Sequence, residues 1–244
     1  MKYYYDLHLH SCLSPCGDMD MTPHNITGMA KLLGLDIIAL TDHNTSLNCE
    51  ATIEAGKKNG VVVVPGMEMT TSEDIHAVCL FPTLEKALDW SEYVDRSRIK
   101  IRNRPDIYGR QVIMNERDEE TGEIEHLLLP AADIGIMNAY SLVRSFDGIC
   151  YPAHIDRDSL SILSVLGEID ESCGFVTAEL ADKSKLDELR VRHPILGSLR
   201  IVTSSDAHYL ENMRKAEHQI ELEELSAACL TETLDRRIGM VYPK

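Results

Sequence analysis

Residues 3–11 read YYYDLHLHS, an aromatic and apolar run that ends in two histidines separated by one leucine. The alternation predicts a β-strand over 3–9, because successive side chains of a strand point to opposite faces. Asp6, His8 and His10 then lie on one face. Two imidazoles spaced in this way can chelate a divalent metal ion. The stretch therefore predicts a strand whose end carries a metal site.

Short β-branched or apolar runs recur after this strand and alternate with amphipathic segments. The four valines at 61–64 do not alternate with polar residues, as expected of a strand buried on both faces. Further strands are predicted over 36–41, 61–67, 75–81, 149–153, 175–180 and 200–204. Helices are predicted near 23–33, 47–58, 83–94, 133–145, 158–168, 182–191 and 223–237. This order predicts an α/β fold, a distorted (β/α)7 TIM-like barrel with its chemistry at the C-terminal ends of the strands.

Metal-binding residue types stand at the ends of most predicted strands. In a barrel, these ends converge on one mouth, so side chains far apart in the sequence come together. That convergence is the strongest indication of a site that spacing alone provides. The groups are Asp42, His43, Glu68, His154, Asp206 and His208, with His76 lying within a predicted strand instead of at its end.

Residues 95–130 interrupt the alternation of strands and helices. The segment predicts a hairpin that pairs 111–115 with 123–129 across a turn at 120–122. We expect it to be an insertion over the active-site face of a single domain spanning 1–244. Its basic residues could steer an anion towards the mouth or form an ordinary solvated surface, and they are Arg96, Arg98, Lys100, Arg102, Arg104 and Arg110.

The composition narrows the expected location and partners. The sequence has no apolar run of about 18 residues and no signal-peptide pattern at its start, so we expect a cytoplasmic protein without a membrane partner. Seven dispersed cysteines, an odd number, fit reduced thiols better than disulfides. Forty acidic against 24 basic residues give a formal net charge of −16, which predicts that long nucleic acid is an unlikely partner. The residues do not indicate an oligomeric state.

Several motifs together resemble a known family. They are DLHLHS at 6–11, TDHN at 41–44, Gly-Met-Glu at 66–68, the later lone histidines and the closing Asp-x-His at 206–208. The combination resembles the polymerase-and-histidinol-phosphatase (PHP) family of metal-dependent phosphoesterases from residue 6 to 208, interrupted by 95–130. The resemblance implies a distorted seven-stranded (β/α) barrel that holds two or three Zn, Mn or Fe ions, in its full form a trinuclear site.

The resemblance also implies which residues hold each ion. The implied ligands are His8, His10, Glu68 and Asp206 for the first ion; Glu68, as a bridge, with His76 and His154 for the second; and His43, His208 and a residue of the loop after His10 for the third. That loop reads SPCGDMDMTP at 14–23 and departs from the family's usual Ser-Asp-Gly. Asp18 stands at the place of the loop aspartate, and Cys16 is the alternative as a soft ligand for zinc.

Three other residues are expected to act beside the ions. Asp6 and Asp42 are placed behind the ligands, where they would accept hydrogen bonds from imidazoles and fix their tautomers. Strand-end capping is the alternative for both. Arg157, three residues after His154, is the candidate for gripping a phosphate with its guanidinium, and a surface ion pair is the alternative.

The predicted reaction is hydrolysis of a small phosphorylated substrate, a nucleotide-like phosphomonoester or a short phosphodiester. A hydroxide that bridges two ions would attack phosphorus in line, while the third ion and a cation grip the other oxygens. Two alternatives remain: a catalytically silent metal-binding regulatory module, and a C–N hydrolase of the amidohydrolase type. Amidohydrolases commonly bridge their metals with a carboxylated lysine, whereas Glu68 stands at that place here.

Overall fold

The computed structural model describes residues 1–237, and residues 238–244 of the predicted domain lie outside this range. The strands are β1 Lys2–Leu9, β2 Ile37–Leu40, β3 Val62–Thr70, β4 His76–Leu80, β5 Val112–Met114, β6 Glu120–Glu123, β7 Ile149–Pro152, β8 Thr177–Leu180, β9 Arg200–Thr203 and β10 Gln219–Glu221. The α-helices are α1 Pro23–Leu33, α2 Cys49–Asn59, α3 Leu84–Ser97, α4 Pro105–Tyr108, α5 Ile136–Arg144, α6 Ile162–Leu166, α7 Leu186–Arg192 and α8 Ala227–Asp235. Within 1–237, no helix combines the length and apolar character needed to cross a membrane.

The main sheet has six strands in the order β10-β1-β2-β3-β4-β7, and β8 and β9 form a separate parallel pair. Strands β1, β2 and β3 run parallel to one another. A parallel bridge between Leu9 and Ala207 joins the end of β1 to the segment that follows β9. The seven predicted strands all form, and the mixed α/β fold with a curled, barrel-like sheet is confirmed.

The count of seven parallel βα units is not met, because β4 runs antiparallel to both β3 and β7. Only residues 71–75 connect β3 to β4, whereas a parallel crossover needs a dozen or more residues. The reversal affects the site directly. His76, the first residue of β4, pairs with Thr70, the last residue of β3. The start of β4 therefore lies at the same edge as the end of its neighbour.

The valine run is buried on both faces of the sheet, as predicted. Val63 packs with Ile38 in one cluster of apolar side chains, together with residues of α1. Val64 packs with Ile37 in another, together with residues of α8. Helix α1 has the predicted bounds: the side chain of Thr22 caps its start, and Gly34 ends it in a left-handed conformation (φ 81°). All seven cysteines are free thiols.

The insertion contains a hairpin, but its turn differs from the predicted one at 120–122. Residues Glu120–Glu123 form β6, and the chain turns at 115–119. The side-chain oxygen of Asn115 accepts hydrogen bonds from the backbone N–H groups of Arg117 and Glu119, which closes the turn locally. Asp118 there adopts a left-handed conformation (φ 61°). The side chain of Asn115 therefore determines where the chain turns. The prediction from Gly122 placed the turn a few residues too late in the sequence.

The hairpin rests on loops of the predicted mouth. The carboxylate of Asp118 accepts hydrogen bonds from Thr22 Oγ1 at 2.6 Å and from the backbone N–H of His24 at 2.9 Å, at the start of α1. The side chain of Asn48 donates to the carbonyl of Val112 at 3.1 Å and accepts from the N–H of Met114 at 3.0 Å. Both contacts anchor the insertion to the segments that follow β1 and β2.

The basic residues of the insertion are all paired with acidic side chains. The pairs are Arg96–Glu92, Arg98–Asp95, Lys100–Asp95, Arg102–Glu125, Arg104–Asp106, and Arg110 with Glu120 and Glu123. Arg98 is buried and also donates to the carbonyl of Leu127 at 2.8 Å. Because nearby carboxylates offset these charges, the pairing favours the ordinary solvated surface over anion steering.

Candidate metal centre

Eight of the nine ligands implied by the family resemblance meet at one edge of the sheet. They come from strands β1, β3 and β4 and from the segments that follow β1, β2, β7 and β9. Six of the side chains are buried, and those of Asp206 and His208 are 6% and 20% exposed. The eight are His8, His10, His43, Glu68, His76, His154, Asp206 and His208.

The carboxylate of Glu68 lies at the centre of this cluster. It is within 3.4 Å of a ring nitrogen of five histidines: Oε1 contacts His76 (2.8 Å), His154 (3.0 Å) and His8 (3.3 Å), and Oε2 contacts His43 (3.0 Å) and His10 (3.4 Å). Asp206 Oδ1 lies 3.3 Å from His8 and 3.1 Å from His10. A carboxylate placed among so many imidazoles suits the bridging position that the resemblance implies for Glu68.

Three groups of side chains are compact enough for their donor atoms to surround one ion each. They are His8, His10, Glu68 and Asp206; His43, Glu68 and His76; and His10, His43 and His208. The first group is the set implied for the first ion. In the second, His43 takes the place expected for His154, although His154 contacts the same oxygen of Glu68 as His76. In the third, His10 joins His43 and His208.

The loop residue is not brought into these groups. Asp18 is partly exposed, and its Oδ1 accepts a hydrogen bond from the N–H of Asp20 at 2.8 Å. The alternative, Cys16, is exposed as a residue, but partial burial of its thiol and the negative charges of Glu68 and Asp206 raise its pKa to about 12. Neither residue belongs to a compact group within 1–237. The choice between Asp18 and Cys16 stays open.

Donor chemistry and hydrogen bonding both fit divalent ions. Four buried ring nitrogens and Asp206 Oδ1 form no hydrogen bond of suitable geometry with the described residues; the nitrogens are His8 Nε2, His10 Nε2, His43 Nδ1 and His154 Nδ1. The first three of these nitrogens nevertheless lie within 3.4 Å of a Glu68 oxygen. Buried polar atoms without partners are costly, and imidazole nitrogens with carboxylate oxygens are ligands that Zn, Mn and Fe accept. The residues therefore fit the ions that the resemblance implies.

The backbone around two of these residues is unusual. His154 (φ 28°) and Asp206 (φ 52°) both have positive φ angles, which few residues other than glycine adopt. Strained backbone of this kind concentrates at functional sites, where the surrounding structure holds it in place. At both positions the chain has just left a strand, so the strain accompanies the turn that aims the side chain into the cluster.

Hydrogen bonds behind the cluster orient two of the rings. Ser14 Oγ donates to Asp42 Oδ1 at 2.7 Å, so its oxygen accepts from His10 Nδ1 at 2.9 Å. Once His10 is deprotonated, its remaining proton therefore stays on Nδ1, and the lone pair of Nε2 faces the cluster. His208 Nδ1 donates to the carbonyl of Asp206 at 3.0 Å, which likewise leaves its Nε2 available.

The carboxylates of Asp6 and Asp42 do not accept the predicted hydrogen bonds from imidazole rings. Asp42 reaches His10 through Ser14, because its oxygens are occupied by the hydroxyls of Ser11 and Ser14 and by the N–H of Ser11. Asp6 accepts from the backbone N–H groups of Ser205 at 3.0 Å and His8 at 3.4 Å. Burial raises the pKa of Asp6 to about 6. Both carboxylates hold backbone or hydroxyl groups near the ligands instead of touching the rings.

Glu179 is a functional candidate that the sequence analysis missed. This buried residue of β8 accepts from His8 Nδ1 at 2.9 Å and from the backbone N–H of His154 at 3.1 Å, both on Oε1. It thereby fixes the tautomer of His8 and leaves its Nε2 directed at Glu68 and Asp206. One signal was available: a glutamate stands within an otherwise apolar predicted strand at 175–180.

Arg157 lies at the cluster, as predicted. Its Nη1 is 2.6 Å from Asp206 Oδ2, and the side chain is 44% exposed. Its backbone N–H donates to the carbonyl of His154 at 2.9 Å, so the turn after that residue brings the guanidinium back to the mouth. A guanidinium offers five N–H donors, so the contact with Asp206 leaves donors that can face a bound anion.

The histidines of the cluster fall into two protonation classes. Burial opposes protonation of His8 and His10, but the charges of Asp206 and Glu68, and of Glu179 beside His8, outweigh it. The pKa of His10 is raised to about 9, and that of His8 well above its ordinary value. Burial and the neighbouring His10 lower the pKa of His43 to about 4 and that of His208 to about 3. In turn, the protonated rings hold the pKa values of Glu68 and Asp206 well below their usual range, against the effect of burial.

Loading the protein with a divalent ion at pH 7 should therefore release about two protons, one each from His8 and His10, since a ligating imidazole must lose its extra proton. Ligation by His43 and His208 alone should release none, because both are already neutral. The apparent affinity should still rise with pH through about 9, the raised pKa of His10. Titration calorimetry in two buffers of different ionisation enthalpy measures the release. A binding enthalpy that is the same in both buffers would contradict these protonation states.

The family model of the PHP domain matches residues 6–173 of this chain. Two relatives match shorter stretches. An uncharacterized protein of Methanocaldococcus jannaschii is 35% identical over 100 residues, which is 37% of this chain and 58% of that protein. A 5'-3' exoribonuclease of Haemophilus influenzae is 32% identical over 83 residues, 33% of this chain and 29% of that protein. The chain thus matches little more than half the length of the first relative and under a third of the second.

Solved structures share the fold at low sequence identity. The lesion-specific endonuclease PfuEndoQ of Pyrococcus furiosus has a TM-score of 0.67 at 18% identity and covers 96% of this chain and 56% of its own. A complex of Endonuclease Q with a 27-mer duplex that carries an abasic lesion has a TM-score of 0.61 at 17% identity, with the same coverage. A structure from Bifidobacterium adolescentis, provisionally named a metal-dependent phosphoesterase, has a TM-score of 0.57 at 17% identity and covers 91% of this chain and 92% of its own.

The prediction against long nucleic acid as a partner is wrong. The fold of this chain matches, over nearly its whole length, part of an endonuclease whose structure was determined in complex with a DNA duplex. Net charge is a property of the entire surface, whereas a substrate meets only the charges around the site. The match over residues 6–173, the converging donors and the shared fold agree with one another. The chain belongs to the PHP domain family of metal-dependent hydrolases.

Proposed function

We propose that this chain hydrolyses phosphate esters at the histidine and carboxylate cluster, and that its substrate is a nucleic acid or one of its nucleotides. One observation carries the proposal: seven other donor residues converge around Glu68, buried ring nitrogens without a well-formed hydrogen bond lie among them, and Arg157 lies at the rim. Such a site combines positive charge with a place for an anion. A phosphate ester needs both, because its own charge resists attack by water.

The ligand roles use each histidine once. We assign His8, His10, Glu68 and Asp206 to one ion, and Glu68 with His76 and His154 to a neighbouring one. His43 and His208 would serve a third ion, with Asp18 or Cys16 as the loop ligand. The number of ions, their identity as Zn, Mn or Fe, and the cytoplasmic location stay predictions.

Divalent ions bound there would lower the pKa of a water molecule and neutralise phosphate charge. The chain's own residues supply orientation. Arg157 can donate two parallel hydrogen bonds to a phosphate, while its Nη1 stays near Asp206. Ser14 and Glu179 hold the His10 and His8 rings with their Nε2 atoms inward. Burial of the cluster strengthens each of these electrostatic contacts.

Two kinds of comparison support nucleic acid as the substrate. One fold relative is an endonuclease solved with duplex DNA, and one sequence relative is an exoribonuclease. The net charge of −16 describes the whole surface and does not oppose this, because divalent ions held by the cluster would add positive charge at the mouth beside Arg157. Small phosphate esters, the substrates predicted from the sequence, are included in the test beside the nucleic acids. The amidohydrolase alternative is less favoured, because Glu68 and not a lysine belongs to two of the three compact groups.

The test uses protein purified without chelator, with metal content measured beforehand. Single- and double-stranded DNA, RNA, a dinucleotide and p-nitrophenyl phosphate esters are assayed with added Mn, Fe or Zn. We expect two or three ions per chain and metal-dependent cleavage of phosphodiesters. Replacing Asp206 by asparagine should lower both readouts, because Asp206 contacts His8 and His10. A chain that binds its ions and cleaves no phosphate ester with any metal would favour the regulatory module.

A further inference from the structure

We propose that a cleft next to the cluster binds the nucleotide adjoining the scissile phosphate, with Arg192 contacting that nucleotide's second phosphate. The inference rests on the proposed function, since it names a subsite for that reaction. The cleft has a volume of about 430 Å³ and lies between the segment 155–167 and helix α7. That volume is within the range of pockets that hold small ligands.

Arg157 connects the cleft to the metal centre. It lines the cleft and, at the same time, contacts Asp206 of the cluster at 2.6 Å. The segment that forms this wall continues directly from His154, which contacts Glu68. A substrate whose phosphate is held by Arg157 therefore has its next nucleotide at the entrance of the cleft.

The opposite wall offers groups suited to a nucleotide. Arg192, at the end of α7, is 59% exposed and forms one ion pair with Glu188 at 2.9 Å, which leaves further guanidinium donors for a phosphate. His193 beside it is half-buried, and an imidazole can stack on a nucleobase. Leu163 and Leu189 add apolar surface. A cation, a planar ring and an apolar patch within one cleft match the three parts of a nucleotide.

Two carboxylates also line the cleft, those of Asp156 and Asp158. Asp156 accepts hydrogen bonds from the backbone N–H groups of Ala181 at 2.7 Å and Asp182 at 3.0 Å, and it lies 3.5 Å from Lys185 Nζ, so its charge is balanced locally. Asp158 is exposed to solvent. The phosphate would therefore bind on the side of the cleft formed by Arg157 and Arg192.

The proposed subsite would accommodate one nucleotide, because the next cleft along this surface is acidic. An adjoining cleft shares Arg192 and His193 but is lined on its other side by Glu168, Asp170 and Glu171. Three carboxylates repel a further phosphate. We therefore place one nucleotide with its second phosphate at Arg192, and no continuing strand beyond it on this side.

The test measures binding and does not require turnover. The probe is a dinucleotide whose central phosphodiester is replaced by a nonhydrolysable phosphonate, prepared with and without a terminal phosphate at its 5' or 3' end. Dissociation constants are measured with the metal-loaded protein and with Arg192→Ala. The matched control is Arg190→Ala, which removes the same charge from the same helix but does not line the cleft. Thermal unfolding confirms that both variants are folded.

We expect Arg192→Ala to weaken binding of one of the end-phosphorylated probes about tenfold and of the unphosphorylated probe less than twofold. Arg190→Ala should weaken neither. Equal weakening of all probes, or no weakening, would overturn the subsite. The proposed function fails separately: if no phosphate ester is cleaved but the terminal phosphate still depends on Arg192, the cleft is a nucleotide site without the reaction.

Discussion

Replacing Glu68 by glutamine is expected to lower phosphoester hydrolysis about a thousandfold and to reduce the metal content of the purified protein. Glutamine keeps the shape of the side chain but removes the charge that five histidine rings share. The carboxylate also holds two of the three compact groups together. Its loss should therefore affect more than one ion, which distinguishes Glu68 from a ligand at the rim.

Metal analysis after dialysis and single-turnover cleavage of a phosphodiester measure the two effects. Glu54→Gln is a matched control, because Glu54 is an exposed carboxylate on α2 whose contact is an ion pair with Lys57. That variant should keep its ions and its activity. A Glu68→Gln protein with full metal content and turnover within a few-fold of wild type would contradict a bridging role.

Replacing Glu179 by alanine is expected to lower metal affinity by about ten- to a hundredfold, the usual range for residues that orient metal ligands. Alanine leaves His8 Nδ1 and the backbone N–H of His154 without their acceptor. Glutamine retains a side-chain oxygen in that place and should recover part of the loss. The effect reaches the ions through His8, so Glu179 is a positioning residue.

Competition with a chelator measures metal affinity for Glu179→Ala and Glu179→Gln, and thermal unfolding of the metal-free proteins measures stability. We expect the order of affinity to be wild type, then glutamine, then alanine. A residue with a purely structural role would lower the stability of both variants and leave their metal affinity unchanged, and that result would remove Glu179 from the site.

The amino-acid composition was a poor guide to whether this chain has a nucleic acid as a partner. A charge of −16 describes the whole surface, and it led to a wrong exclusion of long nucleic acid. The basic residues of the insertion show in a second way that a count of charges does not predict binding. Six basic residues allowed two interpretations, an anion-steering patch or an ordinary solvated surface, and each has an acidic neighbour in the folded chain. Salt screens exposed charges beyond about 10 Å, so the charges close to a site decide which molecules it attracts.

The sequence by itself determined the features that depend on near neighbours along the chain. Alternation in residues 3–11 set β1 and placed His8 and His10 on one face. Thr22, Pro23 and Gly34 set both ends of α1. The family motifs identified eight donors that the fold does bring together, seven in the compact groups and His154 through its contact with Glu68. Each of these results depends on backbone geometry or on the spacing of residues close together in the chain, and both can be read directly from the sequence.

Only the tertiary structure decided how distant segments share the site. The reversal of β4 carried His76 to the edge of the sheet where its neighbours end. Packing placed Glu179 of β8 behind His8 of β1, 171 residues away in sequence, and it joined Asp42 to His10 through Ser14. These contacts depend on which strands lie side by side and in which direction they run. No periodicity within a single segment encodes that information, because the partner's position is set by the packing of the whole chain.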